Sequence, residues 1–119
     1  DEDLARYVDI ARGHHKFYNG KGGYPNDFDN TASPERFMID IITVCDCLDA
    51  ATDQYGRNYH QAKTTDEVLA EFKRDAGVRY NPDIVRFILQ DSALRDTLRE
   101  ISGPRRLTIY YDTYKHYFM

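Results

Sequence analysis

The stretch that most limits what this chain can fold into is Ser33 to Thr52, Ser-Pro-Glu-Arg-Phe-Met-Ile-Asp-Ile-Ile-Thr-Val-Cys-Asp-Cys-Leu-Asp-Ala-Ala-Thr. Ser and Pro form a helix start, with Ser as the cap and Pro at the first helical position. The apolar residues that follow surround the helix on nearly every side. A helix of that kind is expected at the centre of a domain, with the other elements packed around it.

The rest of the chain supplies those elements. Leu4, Tyr7, Val8, Ile10 and Ala11 have helical spacing, which predicts a helix over 2–15. Residues 17–32 are rich in turn formers and read as a loop. Thr64-Thr65-Asp66-Glu67 is a capping box, and the helix it opens is expected to end at Gly77. Asn81-Pro82-Asp83 opens another helix, and Asp91-Ser92 caps a further one that Gly103-Pro104 ends. The final stretch, 105–118, places Leu107, Tyr110, Tyr111, Tyr114 and Tyr117 at helical spacing. It reads as a helix with one face packed on the domain, or as the seam with a partner helix. No period-two run with strand chemistry occurs. The expected fold is all-α, a bundle of five or six helices in one domain.

Composition narrows the function. A formal net charge of −4 over 119 residues argues against binding a nucleic-acid polymer or an anionic membrane. No apolar run approaches the roughly 18 residues that a membrane helix needs. Cys45 and Cys47 point to different sides of a helix or strand, which argues against a mutual disulfide, and reduced thiols fit a cytoplasmic protein. Buried cysteines at such spacing serve as small packing groups.

Three groups of residues carry chemistry. Asp46 lies in the most apolar part of the chain, and a carboxylate buried there must be neutralised by a metal ion, an arginine or a helix end. Asp49 and Asp53 share its face, whereas Asp40 is expected on a solvated side. His14 and His15 are adjacent at the end of the first helix. Such a pair is either a solvated surface feature or, with a carboxylate, a ligand set for divalent transition metals. The run Gly20-Lys21-Gly22-Gly23 is either a plain loop or a backbone approach to a phosphate, with Lys21 nearby. Arg57, in the polar 53–63 segment with Tyr59 and His60, is either a surface charge or a phosphate clamp.

Over residues 10–90 these groups together resemble the C-terminal half of HD-GYP domains, the cyclic di-GMP phosphodiesterase branch of the HD metal-dependent phosphohydrolases. His14-His15, Asn19-Gly20 and Gly23-Tyr24-Pro25 are similar to the His-His-Glu, Asp-Gly and Gly-Tyr-Pro signature. Val44 to Ala50 resembles the Ala-Asp-x-x-Asp-Ala helix. Arg57-Asn58-Tyr59-His60 resembles the Arg-Pro-Tyr-Arg/Lys loop, and Gly77 to Val85 resembles Gly-x-x-Phe-Asp-Pro-x-Val. The resemblance implies that His14, His15 and Asp46 ligate a divalent metal, iron or manganese, with Asp49 supporting the ligands. It implies that Arg57, His60, Lys21, Gly23, Tyr24 and Pro25 form the substrate side. A metal-bound hydroxide would attack the phosphorus of cyclic di-GMP or another phosphoester.

Several positions depart from the pattern. Lys16 stands where the family has Glu, Asn19 replaces Asp, Asn58 replaces Pro, and one additional glycine precedes Tyr24. Residues 53–56 resemble a small insertion. The family's His-Asp pair would lie upstream of position 14, where the sequence has no histidine. The expectation is that residues 1–119 are the C-terminal portion of a single HD-GYP-like domain, with 104–119 as a Tyr-rich terminal helix, and that they are inactive alone. Completion by a missing N-terminal half or by a second copy in a homo-oligomer would follow. The alternative is a non-catalytic signalling or interaction module on the same fold.

Overall fold

The computed structural model describes residues 1–53 and 61–119. Among them the fold is all-α. Six helices follow one another: α1 Glu2–Gly13, α2 Arg36–Thr52, α3 Thr65–Arg74, α4 Pro82–Gln90, α5 Ser92–Ser102 and α6 Arg106–Phe118, with a 3-10 turn at Asn30–Ala32. The extended pairings among the described residues are two isolated bridges, Lys16 with Gly23 and Ala76 with Tyr80. None of the described helices is long and apolar enough to cross a membrane.

The caps explain most of the helix starts. Thr64 accepts from the Glu67 amide while the Glu67 side chain returns to Thr64, closing the capping box of α3. Asn81 caps α4 with Pro82 at its start, and Asp91 caps α5 by accepting from the Leu94 amide. The expected Ser33 cap on α2 is shifted. The helix begins at Arg36, and Ser33 instead accepts from the Glu35 amide and donates to Asp9 of α1. After α3 the chain turns through Gly77, whose φ of +85° is left-handed and suits a residue without a Cβ.

The core is the seam where α2, α3 and α4 meet. Val44 and Leu48 of α2 pack with Val68, Leu69 and Phe72 of α3, and with Tyr80, Val85 and Ile88 at α4. Phe72 meets Tyr80 edge-on, with ring centroids 4.6 Å apart. Leu94 and Leu98 of α5 close the far side. The α1 helix crosses the other half of α2, where Gly13 lies so close that a Cβ would sit 2.8 Å from Ile39.

This arrangement corrects the expected burial of α2. The helix buries Ile39, Asp40, Thr43, Val44, Leu48 and Thr52, which form one face. Phe37 and Met38 lie exposed on other sides, as do Cys45, Asp46 and Asp49. Asp46 is therefore an exposed residue, and Asp40, expected in solvent, is 3% exposed. Arg36 donates to the Asp40 carboxylate at 3.1 Å and Asn81 donates to it at 2.9 Å. The sequence pattern does not fix the helix rotation, because apolar residues occur all round. Neighbours with specific partners for Asp40 do fix it.

The last helix is a second correction. Arg106 is buried and donates to the Asp49 backbone carbonyl and the Thr52 hydroxyl, while its other nitrogen pairs with the Asp49 carboxylate. That cation closes the C-terminal end of α2, where carbonyls lack partners. Beyond it, Leu107, Tyr110, Tyr111, Tyr114 and Tyr117 are each more than half exposed. Of the two expectations for α6, a face packed on the domain is the one that fails, because that face is open.

Candidate metal centre

The site forms where α1 ends. His14 is the residue that caps α1, and its backbone stays helical, so its amide still bonds to the Ile10 carbonyl. Its Nδ1 lies 3.3 Å from the same carbonyl oxygen. An acceptor there assigns the proton to Nδ1 and leaves the Nε2 lone pair available. The Thr43 hydroxyl of α2 is shared between the Ile39 carbonyl at 2.8 Å and the His14 carbonyl at 3.0 Å, which sets the histidine turn against α2. The two imidazoles are adjacent, with centroids 3.9 Å apart.

The glycine run folds back over the histidines. Phe17 N–H donates to the Gly22 carbonyl at 3.0 Å, and Tyr24 N–H donates to the His15 carbonyl at 3.3 Å. Gly23 makes this return possible. Its φ is +79°, and a Cβ on it would lie 2.1 Å from the His15 carbonyl oxygen. The fold-back stacks the Tyr24 ring on the His15 imidazole at 4.7 Å, with the planes 19° apart. The far side of the loop is anchored elsewhere: Tyr18 and Asn19 amides donate to the carbonyls of Arg79 and Val78. Arg36 donates to the Tyr18 carbonyl at 2.6 Å.

Asp46 comes to the site from α2. One ligand atom each of His14, His15 and Asp46 lies within 4.8 Å of the other two. The residues are 31 and 32 positions apart in sequence, so their meeting is a property of the α1–α2 crossing. His14 is partly buried, and His15 and Asp46 are exposed, which leaves one side open to solvent. The donor set, two imidazoles and a carboxylate, suits divalent transition ions. With bonds of about 2.0–2.2 Å, ligand atoms sharing an ion stand roughly 3 Å apart, a distance that modest rotamer changes would reach from this arrangement.

The other expected site residues divide. Tyr24 and Gly23 shape the loop over His15, and Pro25 follows through a cis peptide bond. Lys21 is exposed, and its amide donates to the Asn19 side chain, so its backbone serves the turn itself. Asp49 pairs through one carboxylate oxygen with Arg106. Arg57 and His60 lie outside the described residues. Lys16, at the position where the resemblance has Glu, is 6% exposed, and its amide bonds to the Gly13 carbonyl.

Sequence reasoning missed Arg36 and Asp40, which hold the loop carbonyl and the start of α4. The i,i+4 spacing of the pair was the available signal. It also missed Arg79. That guanidinium stands over the Phe17 and Tyr80 rings, and the sequence offered no pattern that joins these three residues.

Comparisons with protein-family models, with curated proteins and with solved structures find no match to this chain.

Proposed function

We propose that His14, His15 and Asp46 bind a divalent transition-metal ion, and that the chain is part of a metal-dependent phosphohydrolase of the HD-GYP type. One observation carries the reading: two adjacent histidines and a carboxylate remote from them in sequence are gathered within 4.8 Å at an open site. Asp46 is exposed, so burial places no demand on it for a neutralising ion. The hydrogen bond from His14 Nδ1 to the Ile10 carbonyl adds support, because ligating histidines are commonly oriented by their other nitrogen.

A bound divalent ion supplies Lewis acidity and lowers the pKa of water at neutral pH. The chain's own residues orient and shield. Thr43 holds the His14 backbone, and Tyr24 covers one face of His15. The backbone of Gly20 to Gly23 packs closely on Thr31, Phe17 and His15, which holds the turn and Tyr24 beside the imidazoles. A cyclic dinucleotide such as cyclic di-GMP is the substrate class proposed, and iron or manganese the metal. Three protein ligands leave much of an ion's coordination to water or to groups from elsewhere, so the chain alone is expected to bind metal and to turn over substrate poorly.

Equilibrium dialysis with Mn²⁺ and Co²⁺ tests the metal. We expect saturable uptake by the chain, with Co²⁺ giving visible d–d absorption. Replacing His14 or Asp46 by Ala should weaken uptake by about tenfold or more. Equal uptake by the wild type and both variants would remove the metal centre from consideration.

A further inference from the structure

A second site lies beside α2, at its junction with α3 and the turn before α4. A cavity of about 340 Å³ opens there, at the small end of the range for ligand pockets. Among the described residues, its apolar wall is made by Ala50 and Ala51 of α2, by Ala62 and by Val68 of α3. Three alanines in one wall leave space that larger side chains would fill. The candidate metal ligands His14, His15 and Asp46 do not line it.

Arg79 gives the cavity its polarity. Its guanidinium carbon stands 5.1 Å from the Phe17 ring centroid and 5.4 Å from the Tyr80 centroid. Two aromatic contacts fix a cation but supply no hydrogen-bond acceptor in its plane. Among the described residues the buried Arg79 Nε has no hydrogen-bond partner. The ion pairs formed among the described residues leave it out. Neighbouring Asp75 is held by Arg74 at 3.0 Å, and Glu71 on the cavity rim is held by Lys63 at 2.6 Å. Arg79 lines the cavity, so an anion there would meet a guanidinium that none of the ion pairs among the described residues engages.

We propose that this cavity binds a small organic carboxylate, with its oxygens accepting hydrogen bonds from Arg79 and its apolar body against the alanine wall. Arginine presents a planar fork that matches a carboxylate. Among the described residues Arg79 is the lining cation not already held in an ion pair, since Lys63 is engaged by Glu71, so a single negative charge matches the cavity better than a dianion such as a phosphate monoester. The Tyr80 phenol at the same wall stays neutral, since burial raises its pKa, and so adds no negative charge against the ligand.

Calorimetric titration of the full chain tests this, with benzoate, phenyl phosphate and inorganic phosphate as probes. The His14→Ala variant is the host, so that the candidate metal centre takes no part in anion binding. Benzoate should bind saturably and about tenfold more tightly than either phosphate probe. Arg79→Gln should weaken benzoate by about tenfold, the loss of a charge-assisted bond. Because Arg79 also packs on two rings, Ala50→Leu provides a second variant: it fills the cavity from a partly exposed helix position and should abolish binding while circular dichroism stays unchanged. No saturable benzoate binding, or equal binding in both cavity variants, overturns the site. Tighter binding of phenyl phosphate than of benzoate overturns the carboxylate assignment.

Discussion

Asp40 and Asp46 show what a residue's neighbours in sequence can and cannot say. Both sit among apolar residues on α2, and the more apolar setting belongs to Asp46. The structure buries Asp40 and exposes Asp46. Sequence identified His14, His15 and Asp46 as a possible set through their types, but their meeting depends on how α1 crosses α2. The reason Gly23 must be glycine is likewise three-dimensional, a carbonyl from His15 occupying the space of its Cβ. At the same scale, Tyr80 and Cys47 make a pH prediction. Burial raises the Tyr80 phenol and, with it, the Cys47 thiol above their ordinary values of 10.0 and 9.0. In the unfolded chain both groups lose protons once the pH passes those ordinary values, while in the folded chain they keep them. The unfolded state then binds fewer protons, so stability must fall with rising pH. Denaturation midpoints should be level up to about pH 8.5 and decline above about pH 9. The double replacement Tyr80→Phe with Cys47→Ala should flatten that decline, and an unchanged slope would mean that other groups cause it.

Among the elements, those whose ends carry their own chemistry were the easiest to read. Thr64 with Glu67, Asn81 with Pro82, and Asp91 each satisfy helix amides locally, so four to five residues suffice to place the start. The rotation of α2 was not legible, because its apolar residues do not define a face. The structure sets it through a polar link: Arg36 and Asn81 both donate to Asp40, Arg36 also donates to the Tyr18 carbonyl, and Asn81 caps α4. One carboxylate therefore joins α2 to the loop over the histidines and to α4. Replacing Asp40 with Ala leaves Arg36 and Asn81 without their shared acceptor. Losing one partner of a buried charge pair costs about 3–5 kcal/mol, a large part of the total for a domain of this size. Chemical denaturation should show that loss, with Asp40→Asn less affected because the amide can still accept one bond. A change within about 0.5 kcal/mol of wild type would mean that the link does not hold these elements together.

At the scale of the molecule, the radius of gyration is 15.6 Å. A compact chain of 119 residues is expected near 13.5 Å. The excess matches the way apolar groups are distributed. Leu4, Tyr7 and Val8 form an exposed stripe on α1, Phe37 and Met38 stand open on α2, and α6 turns its tyrosines to solvent. Sequence showed the α1 and α6 groups as helical stripes, with α6 read as packed on the domain or as a seam with a partner helix, and showed α2 as apolar nearly all round. Periodicity says that a face is apolar, and it does not say whether the rest of the chain reaches that face. Here the 3-helix core is already satisfied by α2, α3 and α4, with α5 behind them, and α6 is tied down chiefly through Arg106. Apolar surface left in water favours association, and a second copy of this chain is the partner always at hand. The charges fit such a contact: Asp1, Glu2 and Asp3 open α1, whereas Arg105 and Lys115 flank the tyrosines of α6. Sedimentation at micromolar concentrations should therefore show a dimer or larger species. Tyr7→Glu and Tyr114→Glu should each shift it toward monomer, since both place a charge at an exposed position where folding needs no apolar group. A monomer throughout that range would mean that these stripes are tolerated in solvent, and the expanded shape would then belong to the single chain.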